Sequence, residues 1–253
     1  MLALEVALLS DRGGRKYNED ACGHWHSGRH LCCVLADGAG GHGGGDIASR
    51  LAVQELIARF SQQPSEHPAE LDRMLRVAND VLIGQRVPGT ARQDMHSTVV
   101  CLVIDFLQHR AHWAHSGDSR MYWFRQGRVL DRTRDHSLVQ GLVDAGVLAP
   151  EQVRAHPNRS ELRSALGIAP DELEVSAGEG QDEVQPGDVF LLCTDGLWEY
   201  LDDAVLESTL AAAPNPGWWI GELSTEVHRA AGQKTSHDNF SALTIWTRAA
   251  PVA

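Results

Sequence analysis

Four aspartates stand at positions where carboxylates can act together. Asp37, Asp118 and Asp195 each close an apolar run (LCCVLA, AHWAHSG and VFLLCT), and Asp238 comes just before another, FSALTIW. If these runs are strands, and the last is antiparallel to those ending at Asp37 and Asp195, the carboxylates all reach the same edge of a sheet. Like charges that close raise one another's pKa, so cations are the natural compensation. A donor set of carboxylate, carbonyl and water oxygens favours Mg2+ or Mn2+ over zinc.

Asp37 leads directly into GAGGHGGG, a turn in which a backbone carbonyl can face a hard cation. The same turn contains G-x-G-x-x-G at Gly38, Gly40 and Gly43, the spacing of a dinucleotide site. Asp37 would repel a pyrophosphate there, and the segment after it runs into SQQPSEHP instead of a second strand with an acidic end. The nicotinamide reading is therefore the weaker one. His24-x-His26 and the pair His112 and His115 lack cysteines or further ligands at zinc spacing, so they read as surface or sheet histidines. Trp218-Trp219 reads as packing before it reads as a ligand platform.

The elements that must position these groups follow the hydrophobic periods. LALEVALLS is a first strand, and Asp11–Asp20 (DRGGRKYNED) is a polar loop turned at Gly13-Gly14. Val53, Leu56, Ile57 and Phe60 recur at i, i+3, i+4 and i+7, and Leu71, Met74, Leu75, Ala78 and Leu82 repeat that period after Pro68. Two amphipathic helices therefore follow the glycine turn. Ser97–Asp105, Ala111–Ser116 and a hairpin about Gln126-Gly127 form an antiparallel meander. Short helical patterns broken at Gly146, Pro150, Pro157 and Gly167 mark an inserted flap over residues 135–171. Val189–Thr194 is a strand, Asp202 caps a helix, Ile220, Leu223 and Val227 mark another, and Phe240–Trp246 closes the sheet.

With 253 residues, 43% of them hydrophobic, the chain supports a substantial core. Its formal net charge of -12 disfavours nucleic acid or an anionic membrane as partner, since both would be repelled. Four of the five cysteines (Cys32, Cys33, Cys101 and Cys193) lie in apolar runs without C-x-x-C spacing and read as core thiols, with Cys22 outside them. The N-terminal stretch is too short to span a membrane and lacks a basic region before it, so it reads as the first strand of a cytoplasmic protein; a monomer is expected.

Five stretches in order, DRGGRKYNED (11–20), DGAGGH (37–42), GDSR (117–120), TDGL (194–197) and DNFS (238–241), resemble the motifs of the metal-dependent PP2C (PPM) serine/threonine protein phosphatases, in particular compact bacterial ones. The resemblance implies an α+β fold, the PP2C-like α-β-β-α sandwich of two antiparallel sheets flanked by helices. It implies a single domain over 1–248, with 249–253 a short tail. It also implies two tight Mn2+ or Mg2+ ions and a weaker third. Asp37 would bridge the pair, the Gly38 carbonyl would serve one ion, and Asp195 and Asp238 would serve the other. Asp118 would help hold the third. Glu19 and Asp20 would organise water on the metals, and Arg15 would grip the substrate phosphate.

The implied reaction is hydrolysis of phosphoserine or phosphothreonine by attack of a metal-bridging hydroxide, opposing a bacterial serine/threonine kinase, with type VI secretion one setting. The chain departs from the family at His96, where a small residue is usual, and in a short Gly13–Arg15 segment. Where some eukaryotic members place a histidine as general acid, it has Ala39-Gly40, so the general acid stays open, with His42 one candidate. Two alternatives stay open: a hydrolase of small phosphoesters using the same site, and an idle phosphatase fold that binds phosphoproteins. The second tends to lose ligand aspartates, and here every one is present.

Overall fold

The computed structural model describes residues 2–40, 44–232 and 237–250. β1 (Leu2–Asp11), β2 (Asp20–His26) and β3 (His30–Ala39) lead into α1 (Gly45–Gln62) and α2 (Pro68–Gly84). β4 (His96–Ser97), β5 (Val99–Asp105), β6 (Arg110–Ser116), β7 (Arg120–Arg125) and β8 (Arg128–Arg132) follow. After them come α3 (Leu138–Asp144), a 3-10 turn (Pro150–Ala155), β9 (Ser176–Glu179) and β10 (Val189–Cys193). The chain ends in α4 (Asp195–Trp198), α5 (Asp203–Ala212), α6 (Pro216–Ala231) and β11 (Phe240–Ala249).

The strands form two antiparallel sheets. One runs β1-β11-β10-β7-β8, the other β2-β3-β5-β6-β9 with β4 added to the end of β3. The period of two explains why the central strands are apolar along their whole length. In β3, Leu31, Cys33 and Leu35 face the opposite sheet, where they meet Phe190, Leu192, Leu243 and Ile245. Cys32, Val34 and Ala36 face outward onto Leu56, Phe60, Leu75 and Ala78 of α1 and α2. On the other sheet Leu191, Cys193 and Trp246 face α5 and α6 through Leu206, Trp219, Leu223 and Val227. Three apolar layers thus hold four layers of structure, each fully buried leucine contributing about 1.5–3 kcal/mol.

The helix starts follow their capping residues. His67 accepts a hydrogen bond from the Ala69 amide ahead of α2, with Pro68 at its first position. Asp202 caps α5 at the Val205 amide, as expected, and Asn215 caps α6 at the Trp218 amide. Trp219 is buried and donates its indole N–H to the Thr209 hydroxyl at 3.0 Å, whereas Trp218 is exposed. All five cysteines are free, and Cys22 is half-buried while the other four are buried. Among the described residues no helix is long and apolar enough to cross a membrane.

The structure corrects the sequence expectation at three places. The expected meander is broken, because β5 and β6 belong to one sheet and β7 and β8 to the other. Gly117 makes that crossing with φ of +103°, and a Cβ there would stand 2.7 Å from the Thr98 side chain. β3 does not stop at Asp37: it continues to Ala39 because β4 pairs with it through Gly38↔Ser97 and Ala39↔His96. β2 and β9, which the sequence reading did not predict, complete the second sheet.

Candidate metal and phosphate site

The aspartates do not share one edge of one sheet, contrary to the simple strand argument. They converge from two sheets whose ends lie together. Asp37 lies on β3 with Asp20 as its register partner on β2. Asp195 follows β10, and Asp238 precedes β11, on the opposite sheet. Asp118 sits on the crossing between the two.

Backbone and hydroxyl contacts hold this junction. The Asp37 amide donates to Thr98 Oγ1 at 3.1 Å, the Thr98 amide donates to the Asp37 carbonyl at 2.9 Å, and Thr98 Oγ1 lies 2.6 Å from Ser119 Oγ. Thr194 donates its hydroxyl to Asp20 Oδ2 at 3.0 Å and accepts from the Ser241 amide at 2.9 Å, joining the two sheets. The Trp198 indole N–H donates to the Asp118 carbonyl at 2.9 Å. Gly38 is buried, and its amide donates to the Glu19 carbonyl.

Electrostatics mark the cluster. Burial first, then the charges of Asp20, Asp195, Asp118 and Asp238, push the Asp37 carboxyl well above its ordinary range. Burial and then Asp118, Glu199 and Asp238 do the same to Asp195. Asp118 is pushed up to about 7 by burial and then by Asp135. Asp20 is pushed up to about 7 by burial, against hydrogen bonds that favour its charged form. Glu19 is raised by burial and by Asp46.

Among the described residues, nothing donates a hydrogen bond to the buried oxygens Asp20 Oδ1 and Asp195 Oδ1. Orphaned carboxylate oxygens in an all-oxygen cluster are the condition a divalent cation relieves, so the donor set fits Mn2+ or Mg2+. Arg15 lies exposed at the rim, with its guanidinium 2.6 Å from Asp238 Oδ2. Its neighbour in space is thus a candidate metal ligand.

In a simple hairpin turn Ser119 and Arg120 would be placed to pair with the Asp118 carboxylate. Arg120 instead spends its fork on Asp135, with Nε at 2.8 Å and Nη2 at 2.7 Å, and stacks 3.5 Å over Trp198. Ser119 turns to Thr98. His42 lies outside the described residues. His24 and His26 are exposed on β2, and His115 packs inside against His136 with ring centroids 4.6 Å apart. His96 sits on β4 against Arg86.

Among the described residues, the one group of three histidine, cysteine or acidic donors within 4.8 Å of one another is His30, Glu66 and Asp105, at the far end of β3. Arg29 already supplies the cation there, bonding Glu66 at 2.6 Å and Asp105 at 2.8 Å. Sequence reasoning did not assign Thr98, Thr194, Asn239 or the Arg120–Asp135 pair. GDSR, TDGL and DNFS contain Arg120, Thr194 and Asn239, yet only the fold shows their partners.

Fold and site together define a four-layer protein with a cluster of carboxylates where the ends of its two sheets meet. The model of the Protein phosphatase 2C family matches residues 10–214. The chain belongs to that family. Serine/threonine protein phosphatase PstP of Mycobacterium tuberculosis is 35% identical over 230 residues, which is 90% of this chain and 41% of PstP. The chain therefore spans less than half the length of that relative. The PstP catalytic domain in complex with two manganese ions superposes with a TM-score of 0.79 at 30% identity, covering 98% of this chain and 100% of that one. PppA, described as a key regulatory component of T6SS in Pseudomonas aeruginosa, superposes with a TM-score of 0.75 at 30% identity, covering 96% and 97%. The α-β-β-α sandwich expected from the motifs is the observed fold.

Proposed function

We propose that the chain is a metal-dependent phosphatase acting on phosphoserine and phosphothreonine in proteins. The observation that carries this reading is the mutually repelling cluster of Asp37, Asp20, Asp118 and Asp195 with Arg15 at its rim beside Asp238. Asp37, Asp195, Asp238 and the Gly38 carbonyl would hold two divalent cations, and Asp118 a weaker third. Mn2+ and Mg2+ suit these oxygens, and the two manganese ions of PstP make Mn2+ the first choice as probe. When bound, such a pair lowers the pKa of its water and screens charge on the phosphoryl oxygens.

The side chains supply the remainder. Thr98 holds the backbone of Asp37 on both its amide and its carbonyl, which anchors the strand end that carries the carboxylate. Thr194 occupies Asp20 Oδ2 and leaves Oδ1 to accept a hydrogen bond from water, with Glu19 alongside. Arg15 presents a planar fork that matches two phosphate oxygens, which lysine cannot do. Its exposed pairing with Asp238 is worth little, so exchanging that partner for phosphate costs little.

The substrates are phosphorylated proteins and the natural counterpart is a serine/threonine kinase. The likeness to PppA supports a setting in secretion control. Residues 135–171, within a single domain over 1–248, are the segment that governs the choice of peptide. The test is hydrolysis of a phosphothreonine peptide, a phosphotyrosine peptide and p-nitrophenyl phosphate by chelated protein given back Mn2+ or Mg2+. Turnover of the phosphothreonine peptide on adding metal supports the reading. Turnover of p-nitrophenyl phosphate alone would instead make the chain a hydrolase of small phosphoesters.

A further inference from the structure

The loop between β1 and β2 carries both Arg15 and Glu19, and it has no regular structure of its own. Much of what fixes it comes from residues 237–239, more than two hundred positions away. Asn239 uses the whole of its amide on this loop. Its Oδ1 accepts from the Glu19 amide at 2.8 Å, and its Nδ2 donates to the carbonyls of Arg12 at 2.7 Å and Tyr17 at 2.9 Å. The side chain is buried, and its three bonds reach the start, the middle and the end of the loop.

Two further contacts join the same pair of segments. The Gly14 amide donates to the His237 carbonyl at 3.0 Å, and Arg15 reaches Asp238 at 2.6 Å. Gly13 has φ of +57°, and a Cβ there would lie 2.1 Å from the Asp238 carbonyl oxygen. The loop therefore lies directly on the backbone of a candidate metal ligand, with no room for a side chain between them.

From this arrangement we infer that Asn239 is a positioning residue that sets the Arg15 guanidinium against the cation site, making the phosphate-binding loop and Asp238 one unit. The inference rests on the reading of Arg15 as the phosphate ligand. Bidentate recognition tolerates little displacement, so a loop free to shift by an ångström loses the fork's advantage. The amide chemistry is specific. An aspartate keeps the acceptor for the Glu19 amide, yet turns acceptor oxygens toward two carbonyls and adds charge beside Asp238. A serine has one donor where two are needed.

The experiment measures kcat and KM for a phosphothreonine peptide, and tight Mn2+ stoichiometry by calorimetry, in Arg15→Ala, Asn239→Ala, Asn239→Asp, Gly13→Ala and the Arg15→Ala/Asn239→Ala double variant. Asn239→Ala is expected to raise KM roughly tenfold with the tight Mn2+ count unchanged, as Arg15→Ala is expected to do. The double variant should be no worse than Arg15→Ala, because the two act through one contact. Asn239→Asp should not rescue. Gly13→Ala, which lifts the loop with Asn239 intact, should reproduce the KM rise, and it decides the matter if Asn239→Ala does not fold.

An impaired Arg15→Ala beside normal KM in Asn239→Ala or Gly13→Ala would overturn the inference and leave the Arg15 reading standing. Additive losses in the double variant, or loss of a tight Mn2+ in Asn239→Ala, would also overturn it. Normal kcat/KM in Arg15→Ala would refute the Arg15 reading itself, and the inference with it.

Discussion

Thr194 donates its hydroxyl to Asp20 Oδ2 across the gap between the two sheets, at 3.0 Å, while Thr194 Oγ1 itself accepts from the Ser241 amide. One hydroxyl therefore ties the carboxylate that faces Asp37 to the strand that follows Asp238. The register of each sheet is set by its own ladder, whereas the position of one sheet's aspartates relative to the other's depends on contacts of this kind.

Thr194→Val keeps the volume and removes the hydroxyl. It leaves the Ser241 amide and Asp20 short of a partner in a buried place, so a loss of about 1–3 kcal/mol is expected. Urea denaturation of the metal-free variant checks this. A change below about 0.5 kcal/mol would mean that water replaces the hydroxyl and that the link is not structural.

The carboxylates also predict a pH dependence. Burial and neighbouring carboxylates push Asp20 and Asp118 up to about 7 and hold Asp37 and Asp195 well above the ordinary range, against about 3.9 in an unfolded chain. Such a group holds its proton in the folded state after the unfolded chain has released it. Its contribution is complete below the unfolded value and is lost as pH rises through the folded one, by up to about 1.4 kcal/mol per pH unit per group. Buried histidines act in the opposite direction, since burial and His115 push His136 down to about 4, but that loss falls below about pH 6.5. Above about pH 6.5 the histidines no longer act, so metal-free protein should lose Tm as pH rises through about 7, and saturating Mn2+ should abolish the fall. Calorimetry with and without chelator decides it, and a flat metal-free Tm would contradict the cluster.

Particular residues show how much of this was legible in the sequence. Asp37, Asp195 and Asp238 were recognisable because each adjoins a strand apolar on both faces, and such a strand has one polar end to offer. α1 and α2 were legible from their periods. β2 was not, since DACGHWH lacks clean alternation and its first residue reads as the end of a polar loop. The assignment of Asp37 to a different sheet from Asp195 was hidden as well. It depends on where the chain changes sheet, at Gly117 and on either side of β9, and strand periodicity carries no information about which sheet a strand joins.

Arg120 and Asp135 form a buried bidentate pair that roots the 135–171 segment under Trp198. Arg120→Ala strands a buried carboxylate and should cost about 3–5 kcal/mol, while replacing both partners by apolar residues of similar volume should cost much less. Chemical denaturation of the single and double variants measures the difference. Equal losses in both would show that the charge on Asp135 is compensated from elsewhere.

Asp118 differs from the other ligand candidates in lying on the crossing between the sheets. Asp118→Ala should keep the fold and the two tight ions but lose most turnover, together with the high-concentration part of the Mn2+ activation curve. Activity titrated with Mn2+ beside calorimetric ion counting separates the outcomes. Loss of a tight ion, or a complete activation curve, would remove Asp118 from a third site.

The central claim is that these aspartates hold the cations on which phosphate removal depends. The most direct measurement is hydrolysis of a phosphothreonine peptide by exhaustively chelated protein as Mn2+ is added, in the native chain and in Asp195→Ala. The native chain should be silent without metal and recover fully, while Asp195→Ala should stay near background at Mn2+ concentrations that saturate the native chain. Turnover that survives chelation, or an Asp195→Ala activation curve that overlays the native one, would contradict the account.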